Sequence, residues 1–375
     1  MKIEQRYWTE SEGWQGASAL GGDAQWVLVF GGTEKMRESA WLQEVQQRYP
    51  KALIMGCSTA GEICATRVRD DTLVTTAIQF EHTRIKLAQA DIARMEDSYD
   101  VGVHLAQSLV QDQLTHVLVL SDGLKVNGSE LAKGLRENLP NGVAVTGGLA
   151  GDGSRFQHTL VCADGVVAEG KVAALGFYGE RLNVGFGSLG GWDVFGPQRL
   201  ITKSRGNVLY ELDGQSALAL YKKYLAEHAA GLPATALLFP LSLQGDGDGL
   251  VRTVLGIDEA EQSMTFAGDM PEGTYASLMK ANFDRLVDGA SGAANACHAM
   301  LGGRPPELAI LISCVGRKLV LKQRIEEEVE GVRDVLGEQA VLTGFYSYGE
   351  ICPQGAITRC ELHNQTMTIT TFAEY

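Results

Sequence analysis

A strand–helix–strand unit that recurs three times constrains this chain more than any other feature. The first copy opens with Val27-Leu28-Val29-Phe30 and turns at Gly31-Gly32. A helix with Trp41, Val45 and Tyr49 on one face follows, and the chain returns through Ala52-Leu53-Ile54-Met55. The second copy runs from Val117-Leu118-Val119-Leu120 through Ser121-Asp122-Gly123 into a helix starting near Asn127 or Ser129. Its stripe is Leu131, Leu135 and Leu139, and Val143-Ala144-Val145 returns. The third runs from Leu308-Ala309-Ile310-Leu311-Ile312 through a helix bearing Ile325, Val329, Val332 and Leu336 to Ala340-Val341-Leu342.

Copies one and three end alike. Gly56-x4-Gly61-Glu62-Ile63-Cys64 and Gly344-x4-Gly349-Glu350-Ile351-Cys352 share both glycines and the Glu-Ile-Cys that follows. The second keeps Gly147-Gly148 and a glycine–acid pair, Gly151-Asp152. Internal duplication explains this pattern. Short strands joined through helices imply an α/β fold of layered mixed sheets. Alternating stretches at Thr159 to Cys162 and Val184 to Gly187 read as antiparallel strands. Near residue 213 the character changes, and Ser216 caps a helix carrying Leu220, Tyr224 and His228. The expectation is two domains, 1–213 and 214–375.

A formal charge of −14 disfavours nucleic acid and anionic membranes. The basic clusters Arg317-Lys318 and Lys322 with Arg324 lack an aromatic platform. Met1 to Gly13 is polar, without a signal-like apolar segment, and no apolar stretch is long enough to span a bilayer. Seven cysteines without a compact spacing read as reduced, buried thiols. A cytoplasmic protein is expected.

Five sets of motifs, three in the first half and two in the second, carry a resemblance. They are Gly56 to Ile63, Leu120-Ser121-Asp122-Gly123-Leu124 with Asn127-Gly128, and Gly147-Gly148-Leu149-Ala150-Gly151-Asp152. Gly344 to Ile351 and Leu362-His363-Asn364-Gln365-Thr366 complete the series. In this order the chain resembles the FIST proteins, the first half FIST N and the second FIST C. The resemblance implies a bacterial ligand-binding sensor. Gly191-Trp192-Asp193, Phe195-Gly196-Pro197, Tyr210 to Gly214 and Leu278 to Arg285 are most similar to the nitric-oxide-sensing haemoprotein branch. That branch implies haem b, nitric oxide as signal, and a partner sensor histidine kinase or cyclic-di-GMP enzyme. A homodimer is a further expectation.

The candidate ligand loops are Gly56, Ser58, Gly61, Glu62, Gly147, Gly148, Gly151, Asp152, Gly349 and Glu350. Glycines at strand ends let backbone approach a ligand, and the acids accept hydrogen bonds from a ligand amine or from loop amides. Glu62 and Glu350 are expected to border one cleft, binding an amino acid or similar metabolite in the alternative to haem. The acid after the second glycine argues against a phosphate loop. Gly56 to Gly61 has one residue too many for a nucleophile elbow, and no catalytic set is expected.

Haem requires an axial ligand, usually histidine in gas-binding proteins. His363, beside Asn364 in the closing motif, is the first candidate for the haem iron. His298, on the alanine-rich helix Ala290 to Leu301, is the second, and the thiol of Cys352-Pro353 the third. Tyr346 and Tyr348 complete the candidate cofactor set. Cys352, Cys360 and His363, with Cys57 or Cys64, are a weaker zinc alternative. His104 and His116 read as surface or boundary residues.

Overall fold

In the computed structural model, which describes residues 1–16, 20–232, 234–244, 250–353 and 360–375, the recurrent pattern becomes three equivalent units. Unit one comprises β1 (Lys2–Thr9), β2 (Trp26–Gly31), α1 (Ser39–Arg48), β3 (Leu53–Ser58), the hairpin β4 (Glu62–Cys64) and β5 (Arg67–Arg69), and β6 (Leu73–Gln79). Unit two comprises β7 (Arg84–Asp91), α2 (Ser98–Leu109), β8 (Leu114–Ser121), α3 (Gly128–Asn138), β9 (Ala144–Leu149), the hairpin β10 (Val161–Ala163) and β11 (Val166–Ala168), and β12 (Lys171–Tyr178). Unit three begins with β13 (Leu182–Leu189) and continues after an insertion with α4 (Phe283–Met300), β14 (Leu308–Cys314), α5 (Val315–Leu321), α6 (Ile325–Leu336) and β15 (Val341–Ser347). The hairpin β16 (Gly349–Pro353) and β17 (Cys360–His363) and then β18 (Met367–Glu374) complete it.

Each unit supplies the same four strands to its own sheet. A parallel pair, β2–β3, β8–β9 or β14–β15, is flanked on one side by two antiparallel strands of the same unit. On the other side the return strand pairs with a hairpin from a different unit. The β4–β5 hairpin of unit one joins β15, β10–β11 of unit two joins β3, and β16–β17 of unit three joins β9. The exchange closes into a ring, so the three sheets are held by backbone hydrogen bonds across every unit boundary.

The apolar runs of the first strands are two-faced. Trp26, Leu28 and Phe30 of β2, Leu118 and Leu120 of β8, and Leu308, Ile310 and Ile312 of β14 share one central core with Phe177, Phe345 and Phe372. The alternate residues face outward: Val27 and Val29 meet α1, while Val117, Val119, Ala309 and Leu311 lie under the paired helices. Burial on both faces explains why these strands read as continuous apolar runs. Inside, Phe177 stands edge-on to Trp26 at 5.3 Å between ring centroids and 5.1 Å from Phe372.

Small polar pairs tie the sheets together within this core. Thr76 donates to Thr343 across 2.9 Å and Thr370 to Thr146 across 2.8 Å. His116, expected as a surface or boundary residue, is buried in β8 with its Nε2 2.9 Å from the Thr146 hydroxyl. Burial lowers its pKa to about 3, which keeps the imidazole neutral.

The segment inserted between β13 and α4 contributes a fourth sheet, with its own core around Leu209, Leu218, Tyr221, Met264 and Phe266. Ser216 caps the helix Ala217–Leu225 as its sequence indicates, accepting from the Ala219 amide at 3.1 Å. His228 falls beyond it, in the 3-10 turn Ala226–Gly231. Position 213 lies in the turn between the strands Val208–Leu212 and Gln215–Ser216 of this sheet. Among the described residues no helix is long and apolar enough to cross a membrane.

One glycine of each return strand has no room for a side chain. A Cβ on Gly56, Gly147 or Gly344 would sit 2.0, 1.8 or 1.9 Å from the carbonyl oxygen of Val29, Val119 or Leu311 on the adjacent parallel strand. Backbone cannot yield as a flexible side chain can. Gly344→Ala is therefore expected to cost about 3 kcal/mol or more in urea denaturation. Gly256→Ala, with no atom within 4 Å of its added Cβ, should stay within about 0.5 kcal/mol of the parent. Equal effects of the two would contradict the repeat geometry.

Candidate functional site

The ring brings the three loops that follow β3, β9 and β15 to one end of the molecule, where their backbones are laced pairwise. Ala60 N–H donates to Tyr346 O and Tyr346 N–H to Gly61 O, each at 2.8 Å. Gly151 N–H donates to Ser58 O at 2.9 Å, and Tyr348 N–H to Leu149 O at 3.2 Å. Ser58 adds a side-chain link, donating to Gly151 O and accepting from Leu160 N–H, both at 2.8 Å.

A buried carboxyl group in each unit fastens its loop to the residue before the last strand of that unit. Glu62 accepts from the Thr59 hydroxyl at 2.5 Å and from the amide and hydroxyl of Thr72 at 2.9 and 2.6 Å. Glu350 repeats this with the Ser347 hydroxyl at 2.6 Å and the amide and hydroxyl of Thr366 at 3.2 and 2.9 Å. In unit two the equivalent acid is Asp122, which accepts from Gly170 N–H at 2.8 Å and from the amides of Leu124 and Lys125. Asp152, the sequence candidate, does something else. Loss of water dominates for the two glutamates, outweighing their hydrogen bonds and pushing Glu62 up to about 7 and Glu350 up to about 8.

The symmetry breaks in unit two. Its loop runs from residue 150 to 160, whereas three residues separate β3 from β4 and one separates β15 from β16. Asp152 organises this longer loop. It accepts from the Thr33 hydroxyl and Arg155 Nε, both at 2.8 Å, and from the His158 amide at 3.2 Å. Burial would raise its pKa, but Arg155, Thr33 and the amide together hold it below the usual carboxylate range. The Tyr348 hydroxyl donates to Gly153 O at 3.1 Å and accepts from Phe156 N–H at 3.2 Å, while the two rings stack at 4.3 Å. These anchors hold Phe156 at φ 54°, a conformation bulky residues adopt only when their surroundings impose it.

Against the extended loop lies a polar cleft of about 330 Å³ to which all three units contribute. Unit one supplies Gly32, the loop Thr59 to Glu62, and Asp70 with Asp71. Unit two supplies Gly153, Ser154 and Arg155, and α5 of unit three supplies Val315, Lys318 and Leu319. Lys318 donates to Ala60 O at 2.8 Å and pairs with Asp70. Gly61 is favoured here by its φ of 137°, which L side chains rarely adopt, and its open face lies against Lys318 Nζ. Two cations and two aspartates thus face one volume over the buried Glu62. A second, mainly apolar cleft of about 620 Å³ adjoins it, sharing Ser154 and Leu319.

The candidate residues separate into two groups. Gly61 and Glu62 line the polar cleft. Gly56, Gly147, Gly148 and Gly151 pack against neighbouring backbone or side chains, and Gly349 lies against Leu362 and Leu149. Contrary to expectation, Glu350 does not share the cleft with Glu62: it is fully buried beneath Thr366. Arg155, Lys318, Asp70 and Asp71 were missed as site residues. Arg317-Lys318 was visible only as a basic pair, and nothing local shows that Lys318 reaches loop one.

The residues expected to hold haem line neither cleft, and all but His298 are buried. His363 is buried, with Nε2 3.1 Å from Cys352 O, and burial lowers its pKa to about 4. Asn364 accepts from Thr253 N–H, and Gln365 donates from its side chain to Leu237 O, so the closing motif docks the inserted sheet. The Tyr346 hydroxyl is held by Glu328 at 2.6 Å. Cys352 is buried, and burial, with Cys297 and Cys360 nearby, pushes its thiol up. His298 is half-buried near the end of α4. None of the described residues lining the two adjoining clefts, nor those of a third beside Trp14 and Arg48, is a histidine or cysteine. All seven cysteines are free and buried. No group of three or more metal-binding side chains occurs among the described residues.

The FIST N domain model matches residues 25–215 and the FIST C domain model residues 217–353. No curated protein matches the chain in sequence. Among solved structures, the chain is similar to a chorismatase determined at 1.08 Å, with 10% identity over 99% of this chain and 98% of that one and a TM-score of 0.35. It is also similar to a cyanuric acid hydrolase from A. caulinodans, with 12% identity over 78% and 99% and a TM-score of 0.18. Neither likeness is close enough to bear on function.

The buried glutamates predict a pH dependence of stability. From about pH 4.5, the ordinary value, to about 8, folded Glu350 keeps a proton that the unfolded chain has released, so stability falls as pH rises through that window. Glu350→Gln keeps the shape and removes the titration. Its urea stability should decline less steeply than the parent's between pH 5 and 8, by up to about 1.4 kcal/mol per pH unit. Parallel curves for the two proteins would show that Glu350 does not titrate there.

Proposed function

Because this chain belongs to the FIST family, whose domains are signal-transduction sensors of small ligands such as amino acids, we propose that it senses a small zwitterion bound in the polar cleft. The observation that supports this most is the meeting of Arg155, Asp71 and the Lys318–Asp70 pair around about 330 Å³. A ligand with only negative charge would be repelled by the aspartates, and one with only positive charge by the cations. An amino acid satisfies both. Its carboxylate takes the outward guanidinium edge of Arg155 and the remaining Lys318 proton, and its ammonium takes the aspartates. Glu62, protonated below about pH 7, adds no charge beneath it.

The haem and nitric oxide reading draws on resemblance alone, and the side chains it needs do not line these clefts. Output through a partner histidine kinase or cyclic-di-GMP enzyme in the cytoplasm likewise follows from that resemblance.

Thermal melts with the common amino acids and with haem, followed by calorimetric titration, test the reading. At least one amino acid should raise Tm. Arg155→Ala and Lys318→Met should each weaken its binding about 10- to 100-fold, the effect of losing one charge-assisted hydrogen bond, without changing the circular dichroism spectrum. No amino acid effect, together with a Soret band lost in His363→Ala, would replace this reading with the haem one.

A further inference from the structure

The second cleft defines the rest of the ligand. One wall comes from the inserted segment, through Leu232, Leu237 and Leu238 and through Val254 and Leu255. The other comes from Phe156 of the extended loop and Leu319 of α5. Its volume, about 620 Å³, is nearly twice that of the polar cleft. Leu255 is 41% exposed there, and its neighbours across the cleft are apolar. Ser154 and Leu319 belong to both clefts, so the two volumes meet at those side chains.

The loop that separates the clefts is built to face both. Arg155 points its charge to one side, and Phe156, the next residue, lines the other. Phe156 holds its positive φ against the stacked Tyr348 ring. A ligand confined to the polar cleft would leave the apolar one in contact with water. A wholly apolar ligand would leave the ion pairs unused.

We infer that the ligand is an amino compound with a zwitterionic head and a large apolar tail, the head between Arg155 and Asp71 and the tail crossing Ser154 and Leu319 into the apolar cleft. This inference rests on the polar-cleft reading and extends it to the ligand's class. Its occupant touches both the ring of three units and the inserted sheet, and it would fasten one to the other. Leucine, phenylalanine and tryptophan are therefore favoured over glycine, alanine and aspartate, because burial of a full apolar side chain strengthens binding about 10- to 100-fold.

Calorimetric titration of the full chain with glycine, alanine, leucine, phenylalanine, tryptophan and octanoate distinguishes the two parts. The large apolar amino acids should bind about 10- to 100-fold more tightly than glycine or alanine. Leu255→Asp, at an exposed position, should remove that advantage while leaving the weak binding of alanine unchanged. Ser154→Trp, which fills the junction, should also remove the advantage of the large side chains by blocking the tail's path. Equal affinity for all the amino acids, insensitive to both substitutions, would overturn the tail and leave the polar-cleft reading intact. Octanoate binding that Leu255→Asp abolishes, with no amino acid bound, would overturn the zwitterionic head and so the inference. Absence of binding by any of the six compounds would overturn both.

Discussion

The return strand of each unit completes its hydrogen bonding with a hairpin from another unit, and the remaining architecture depends on that exchange. Without it β3, β9 and β15 would each present an unpaired edge. With it, the three edges are satisfied in a closed cycle, and no unit can complete its sheet alone. The same pairing fixes where the loops go. Glu62 lies opposite Phe345 and Glu350 opposite Gly148, so each loop must turn beside the end of a neighbouring unit's strand. Convergence of three loops at one end is thus a consequence of sheet completion.

A closed cycle of equivalent parts makes a well-packed end with no reason for a cavity, and two of its loops behave in that way. Loops one and three are short and bind their own glutamates through a Thr or Ser on one oxygen and a Thr amide and hydroxyl on the other. The cleft arises where unit two departs from this plan. Its acid has moved to Asp122, next to the preceding strand, which frees residues 150–160 to form a separate hook around Asp152. Arg155 and Phe156 have no counterparts in the short loops. The repeated loops supply the frame, and the irregular one adds Arg155 and Phe156 to it.

That division explains what could be read from the sequence. The three strand–helix–strand copies were legible because continuous apolar runs and helical stripes are local patterns, and the elements fall where Val27, Leu131 and Ile325 place them. The equivalence of Glu62 and Glu350 was legible as well. Their role was not, since a carboxyl that fastens its own loop and one that faces a ligand share the same string. Asp152 looked like the third member of the set because it follows a glycine, yet the equivalence lies in the partner, Gly170, which only the fold brings to Asp122. His363 and Asn364 belong to a motif whose partners, Thr253 and Leu237, sit in the inserted segment more than a hundred residues away. Spacing along the chain carries no record of such contacts.

The helix α5 links the cleft to the insertion through consecutive residues. Lys318 and Leu319 line the polar cleft, while Arg317 is fully buried and donates to Gly190 O and Leu286 O, both at 2.7 Å. Those carbonyls stand at the two ends of the inserted segment, so one guanidinium closes its neck. Glu328 balances the charge at 2.7 Å and accepts in turn from Ser313 and Tyr346, and Tyr346 is the residue near the end of β15 that pairs with Ala60 and Gly61. A buried ion pair of this kind contributes little net stability, but removal of either partner strands a charge in the interior. Its value is geometric: the neck, α5 and two of the three loops are held in one arrangement. A ligand can move such an assembly only by its difference in affinity between arrangements. The residues placed to create that difference are Lys318 and Leu319, whose neighbour Arg317 holds the insertion in position.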